Sequence, residues 1–271
     1  MKRILLFLFF VFLSFVSNGQ CAVSTLRTGE ELKYDCFYNL GFIWVKAGIA
    51  DININVDDKD YNIISTCAST RGWDWFFKLR DTMSVSGNSK TLLPNHFRRI
   101  VNESSYHANF DYKFDYDSAC IISNGFKKTD IFVDKKIKLD TPAIDVITFS
   151  WFVRGIDFDK YKKNDKIPVR MIISNDIYNI YIRYKGIESI KIKTGEEIIC
   201  YKFAPLLIKG TTFSGGESMY LWVSKDDNRV PIMMEAEVVV GSVKAVLSSY
   251  KNIRYKSKIF PFTSGYMGDN K

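Results

Sequence analysis

Between Asn109 and Tyr116 the chain alternates strictly. Phe110, Tyr112, Phe114 and Tyr116 are aromatic, and Asp111, Lys113, Asp115 and Asp117 are charged. A period of two puts the rings on one face and the charges on the other, which predicts a half-buried antiparallel strand. Runs rich in β-branched and aromatic residues predict further strands over 31–38, 42–56 and 61–67, with Asp57-Asp58-Lys59-Asp60 as the turn between the last two. A second set begins at Ile167 and continues over 177–184, 186–193, 197–208 and 219–224. Lys193-Thr194-Gly195-Glu196 and Lys225-Asp226-Asp227-Asn228 read as its turns. The last run, 230–250, is too long for one straight strand, and Gly241 is the expected bulge or bend.

One segment breaks this rhythm. Asp140 or Thr141 can cap a helix and Pro142 suits its first turn. Ile144, Ile147 and Trp151, with Val146, Phe149 and Val153, recur at helical spacing until Gly155. The pattern predicts a helix over 142–154, apolar nearly all round and therefore buried against the sheet. The expected class is mostly β and antiparallel, with this one helix between two strand sets. A single domain over 20–255 and a loose tail over 256–271 complete the reading.

The chain begins with a different pattern. Lys2 and Arg3 precede an apolar run from Ile4 to Val16, and Ser17-Asn18-Gly19 supplies small residues. These are the three parts of a secretory signal peptide, residues 1–19. Its core of about 13 residues is short for a bilayer span. The chain is therefore expected to be exported to the periplasm, with no transmembrane segment after cleavage near Gly19 or Gln20. The alternative, a lipid anchor on Cys21, fits less well because Asn18, Gly19 and Gln20 match a lipoprotein box poorly.

Composition changes the picture only a little. Hydrophobic residues at 46% and charged residues at 25% exclude a disordered chain, and aromatics at 15% favour strands. The formal net charge is +8; loss of Lys2 and Arg3 leaves +6. The cations are scattered, which reads as a solvated basic surface and does not suggest a nucleic-acid partner. Cys21, Cys36, Cys67, Cys120 and Cys200 form no CxxC pair, so zinc and thioredoxin-like readings have no spacing to rest on. Export permits a disulfide, an odd count leaves at least one thiol free, and the pairing is not deducible.

Candidate chemistry is sparse. His96 and His107 both fall in strand-like runs, without HExxH spacing and without a GxSxG elbow elsewhere. The glycine-rich stretch 210–216 lacks the GK[ST] ending of a phosphate loop. Glu235 and Glu237 share a strand face and read as a solvated edge, not a glycosidase pair. Asp111, Asp115 and Asp117 alternate on a strand and do not form a calcium loop. No cofactor and no metal is expected. The densest unusual feature is Trp73-Asp74-Trp75-Phe76-Phe77-Lys78-Leu79-Arg80. Core packing accounts for it most simply. If a ligand site exists, it is expected here: Trp44, Trp73, Trp75 and Phe76 for an apolar or stacking surface, and Arg71, Lys78 and Arg80 for a phosphate or carboxylate headgroup.

Several separate blocks resemble one bacterial envelope family, labelled "domain of unknown function 3108". In the N-terminal half they are 29–34 (GEELKY), 45–48 (VKAG), 75–81 (WFFKLRD) and the helix start at Asp145. In the C-terminal half they are 186–195, 200–205 (CYKFAP), 207–210, 221–224 (LWVS), 226–231 (DDNRVP) and 235–244. The resemblance covers nearly all of the chain after the leader. It implies an exported protein of Gram-negative bacteria, in the style of the Bacteroidetes, and a strongly curved antiparallel sheet, an open barrel or sandwich. It brings no activity and no catalytic residue. The expected role is non-catalytic binding of a lipid, acyl chain or glycan. The alternative is a scaffold that contacts other envelope proteins, and a hydrolase is the least supported reading.

Overall fold

The computed structural model describes residues 26–41, 43–191, 197–209, 215–238 and 240–255. The leader, Cys21, the turn at 193–196 and the tail from 256 lie outside them.

Among the described residues fourteen strands form one antiparallel sheet. The first set is β1 (Glu30–Leu40), β2 (Ile43–Val56), β3 (Asp60–Ser69), β4 (Arg80–Asn88), β5 (Pro94–Glu103), β6 (Tyr106–Asp115), β7 (Cys120–Lys127) and β8 (Asp130–Lys138). The second is β9 (Lys166–Ile173), β10 (Asp176–Lys191), β11 (Glu197–Pro205), β12 (Met219–Ser224), β13 (Pro231–Glu237) and β14 (Ser242–Lys251). Each set is a meander of neighbours, and the two meet where β14 pairs with β1, from Glu31 opposite Lys251 to Tyr38 opposite Val243. The order therefore runs from β8 at one edge to β9 at the other. Among the described residues no ladder joins these edges, so the sheet is a barrel-like band that stays open.

The period of two decides which side is inside. In β3, Tyr61, Ile63 and Ser65 are buried while Asn62, Ile64 and Thr66 face out. In β6, Ala108, Phe110, Tyr112 and Phe114 are buried. These inner residues join Leu32, Ile54, Phe97, Ile121 and Trp222 in one core. A second core forms around Phe158, Ile182, Tyr184 and Phe203. The curl brings distant strands into contact: the Tyr112 hydroxyl accepts from the Asn175 N–H (3.0 Å), and Ser123 Oγ donates to Asn175 Oδ1 (2.7 Å).

The edges are linked by a connection that holds the helix α1 (Val146–Arg154). The helix begins later than its sequence pattern predicts, because Asp145, not Asp140 or Thr141, is the cap. One Asp145 oxygen accepts from the N–H groups of Ile147 (2.8 Å) and Thr148 (3.0 Å), and the other from the Thr148 hydroxyl (2.6 Å). Residues before it stay extended, and Ile144 bonds to Arg170 and Ile172 along β9. Gly155 ends the helix as expected. Ile147 and Trp151 enter the first core, Phe149 and Val153 the second. Arg154 closes the helix in a fully buried position, donating to Glu30 (2.7 Å) and to the Asn228 carbonyl (2.9 Å).

Two further expectations change. Residues 177–184 and 186–193 are not two strands. Through Lys191 they are one, bent where the register shifts at Gly186, whose φ of +101° suits glycine. The run 230–250 is a hairpin, β13 to β14, with Gly241 at φ +78° in its turn.

Candidate functional site

Residues 70–79 connect β3 to β4 and carry the aromatic run. The connection is fixed from below. The Thr70 N–H donates to the Ala47 carbonyl (2.8 Å), Trp73 to Thr70 (2.9 Å), Phe76 to Trp73 (2.9 Å), and Ser104 to Lys78 (2.7 Å). Asp74 is its hub. Its carboxylate accepts from Ser69 Oγ (2.5 Å) and from the two terminal guanidinium nitrogens of Arg80, Nη1 and Nη2 (3.1 and 2.7 Å). The Arg80 and Ser69 hydrogen bonds hold its pKa below the usual carboxylate value.

Above this frame stands a ring cluster. Tyr38, at the end of β1, lies 6.1 Å from both Trp73 and Phe76; Trp73 and Phe76 are 5.4 Å apart, and Trp75 meets Phe76 edge-on at 5.9 Å. The Tyr38 hydroxyl donates to the Val240 carbonyl (2.7 Å), which ties in the β13–β14 turn. Three connections thus meet at one end of the sheet and leave apolar side chains in water: Trp75 at 82% exposure, Val240 at 72%, Ile43 at 65% and Phe76 at 52%. Phe77 is exposed beside them, as are Arg71 and Lys78. Scattered exposed apolar residues need no explanation; here Trp75 and Phe76 are exposed within one ring cluster on a fixed frame, and Ile43 and Val240 are exposed on the neighbouring connections.

The sequence-predicted residues divide accordingly. Trp73, Trp75 and Phe76 come together, with Arg71 and Lys78 on the same connection. Arg80 is committed to Asp74 and holds the frame. Trp44 stands apart: it alternates with Lys46, whose partner Asp35 is outward of buried Tyr34, and Lys244 Nζ lies 4.2 Å from its ring centroid. Tyr38 and Val240 have no sequence signal, because the β1–β14 pairing that brings them together is non-local; Ile43 opens β2 opposite Leu40 across a short local turn.

Inside the band, a polar group lies near this end. Asp81 is buried, accepts from the Asn102 N–H (2.8 Å), and lies 3.8 Å from Arg99, which is 4.0 Å from Glu103. Burial and then the Asp81 carboxylate raise the pKa of Glu103. On the outside, His96 meets Asp111 at 2.8 Å with both side chains at least a third exposed, and His107 meets Asn102 at 3.2 Å. Glu235 pairs with Lys244 at 2.9 Å. These are solvated surface pairs on strands, without the enclosure that acid–base catalysis uses.

Among the described residues, an open, barrel-like antiparallel sheet with one internal α-helix and an aromatic end is the class the geometry defines. The chain belongs to the family described as "Protein of unknown function (DUF3108)", whose pattern matches residues 33–248. A beta-barrel-like protein of the DUF1849 domain from Brucella abortus has a similar fold: TM-score 0.58, 8% identity, covering 84% of this chain and 98% of that one. An exported protein with a YmcC-like fold from Bacteroides fragilis matches at TM-score 0.33 and 12% identity, covering 84% of this chain and 97% of that one. A protein described as a lipoprotein, from Parabacteroides distasonis, matches at 0.32 and 11% with the same coverage. These two scores are too low to bear on the fold. No curated protein matches the chain. Among the described residues no helix is long and apolar enough to cross a membrane, which does not speak to strands.

Proposed function

We propose that this is an exported, non-catalytic protein that engages a lipid or acyl chain of the cell envelope through the end formed by residues 70–79, Ile43 and Val240. The observation that carries the reading is Trp75, 82% exposed on a connection whose backbone is hydrogen-bonded in place. Ordering entropy is already met there, so contact with a ligand is not spent on folding the loop. Rings alone would suit a sugar. Ile43 and Val240 have no ring to stack, and their presence favours hydrocarbon over glycan. Arg71 and Lys78 flank the rings and suit an anionic headgroup. Moving one such side chain from water into hydrocarbon contributes on the order of 1–2 kcal/mol. Four together reach the millimolar to micromolar range, on the order of 4–8 kcal/mol. The leader pattern supports export to the periplasm, and Cys21 offers lipid attachment as the alternative route to the envelope.

The test is flotation with phosphatidylglycerol-containing vesicles. The protein is expected to float with them, and Trp75→Ser with Phe76→Ser to remain at the bottom while keeping its unfolding midpoint. Equal flotation of the variant, or none by the parent, removes the reading. The scaffold alternative has its own support in β8, where Ile131 and Val133 are 78% and 74% exposed along a free sheet edge. A stoichiometric envelope partner lost on Ile131→Ser would favour it.

A further inference from the structure

The inner alternation of β5 is Phe97, Arg99, Val101 and Glu103, and that of β4 is Asp81, Met83 and Val85. Phe97, Val101 and Val85 are buried in the first core, and so are Phe110 and Ala108, opposite Arg99 and Val101 on β6. Into this apolar wall Arg99 brings a charge. It stands opposite Met83, and Asp81 follows one inner position further along β4. Side-chain exposure is 33% at Arg99 and 26% at Glu103, against 7% at Asp81, so the wall is reached by water here. The β5–β6 turn ties this place to the aromatic connection. Leu79 pairs with Glu103 as an antiparallel bridge, and the Lys78 N–H donates to Ser104 Oγ (3.2 Å).

The Arg99 guanidinium is not satisfied by its neighbours. Its Nη2 lies 3.8 Å from Asp81 Oδ2 and 4.0 Å from Glu103 Oε1. Both distances exceed hydrogen-bond length. Its Nε is buried and has no partner among the described residues. Asp81 uses Oδ1 for the Asn102 N–H and turns Oδ2 toward the arginine. A buried donor without an acceptor is costly, and an acceptor on a ligand removes that cost. The group also sets two carboxylates against one guanidinium, which leaves a place for one cation. A purely anionic ligand meets repulsion from the carboxylates, and a purely cationic one from Arg99. A ligand that carries both signs satisfies all three side chains. On a lipid this is phosphoethanolamine: its phosphodiester oxygens accept from Arg99, and its primary ammonium donates to Asp81 and Glu103. The quaternary ammonium of phosphocholine has no N–H to donate, and phosphoglycerol has no cation.

We infer that Arg99, Asp81 and Glu103 form a subsite for the phosphoethanolamine headgroup of a phospholipid, beneath the connection formed by residues 70–79. It rests on the reading of that end as a lipid surface and goes further by naming the headgroup. Binding makes and breaks no covalent bond.

The experiment is a flotation titration of the full chain on two sets of vesicles. Both contain the same share of phosphatidylglycerol; the remainder is phosphatidylethanolamine in one and phosphatidylcholine in the other. The chain is expected to bind the ethanolamine vesicles about tenfold more tightly, the scale of one charge-assisted hydrogen bond. Arg99→Gln and Glu103→Gln should each lose that preference, while Lys135→Gln on β8 keeps it. Should a glutamine variant misfold, the comparison of the two vesicles with the unaltered chain decides alone. Equal binding to both vesicles, or a preference that survives both glutamine variants, overturns the inference. Flotation with neither vesicle removes the lipid reading of the aromatic end, and soluble glycerophosphoethanolamine then decides on the subsite. Saturation-transfer NMR to it, absent for glycerophosphocholine and lost in Arg99→Gln, upholds the site, and no transfer overturns it.

Discussion

Glu217 faces three donors at once. One carboxylate oxygen accepts from the Tyr181 hydroxyl (2.8 Å) and Arg183 Nε (2.7 Å), the other from Lys185 Nζ (3.1 Å). Burial pushes its pKa up, but hydrogen bonds from Arg183, Tyr181 and Lys185 outweigh that and bring it to about 2 from 4.5. A lowered folded-state value means that the unfolded chain binds the proton first. The stabilisation is full above the unfolded pKa of 4.5 and is lost as pH falls through the window down to about 2. Glu217→Gln should therefore be less stable than the parent at neutral pH and should lose less stability across that window. Urea midpoints at a series of pH values check this. Parallel curves for the two proteins would show that Glu217 is not the titrating group. Asp145 has the opposite sign, since burial raises its pKa, so only the difference between parent and variant isolates Glu217.

At the scale of elements, α1 is held by its two ends. Asp145 satisfies the first turn, and Tyr61 reaches it from β3 through the Thr148 hydroxyl (3.1 Å). At the other end Arg154 is fully buried against Glu30 and the Asn228 carbonyl, with its guanidinium 5.3 Å from the Trp151 ring centroid. This one arginine joins the helix, the start of β1 and the turn before β13. Removing one member of a buried ion pair leaves the other charge uncompensated and costs about 3–5 kcal/mol. Arg154→Leu is expected to fall in that range by denaturant unfolding, and Arg154→Leu with Glu30→Leu to recover part of it. Losses that simply add would refute the coupling. The sequence shows the helix but misplaces its start, because Thr141-Pro142 imitates an N-terminus while the real cap is chosen by Thr148 and the β9 edge. Strand alternation is a local property, so Phe110 to Phe114 read correctly. The bend at Gly186 and the hairpin at Gly241 depend on partner strands. The aromatic connection is legible from its density, whereas Tyr38 and Val240 join it across some two hundred residues of chain.

At the scale of the whole molecule, the two meanders close through one seam and stay open at one gap. The seam, β1 with β14, is continuous from Glu31 to Tyr38 apart from one register shift, and residues on both sides of it feed the same core. The two edges at the gap are treated differently. The β9 edge is covered by Ile144, whose N–H donates to Arg170 and whose carbonyl accepts from Ile172, both at 3.0 Å. Among the described residues the β8 edge has no such cover. It is blunted by charge instead, with Lys135, Lys136 and Lys138 exposed and Asp134 kinked at φ +48°. Lysines and a local kink oppose pairing with another sheet edge, and they contribute little burial in return. Amide exchange should therefore rank the strands: β8 fastest through local opening, β9 slower, and β1 with β14 near the global unfolding limit. Breaking the seam would separate the two halves of the core, so its opening should require unfolding of the whole. Exchange at β1 and β14 faster than at β8 would mean that the halves are separate folding units joined by a weak contact. Equal rates across all strands would instead mean that the open edge costs the sheet nothing.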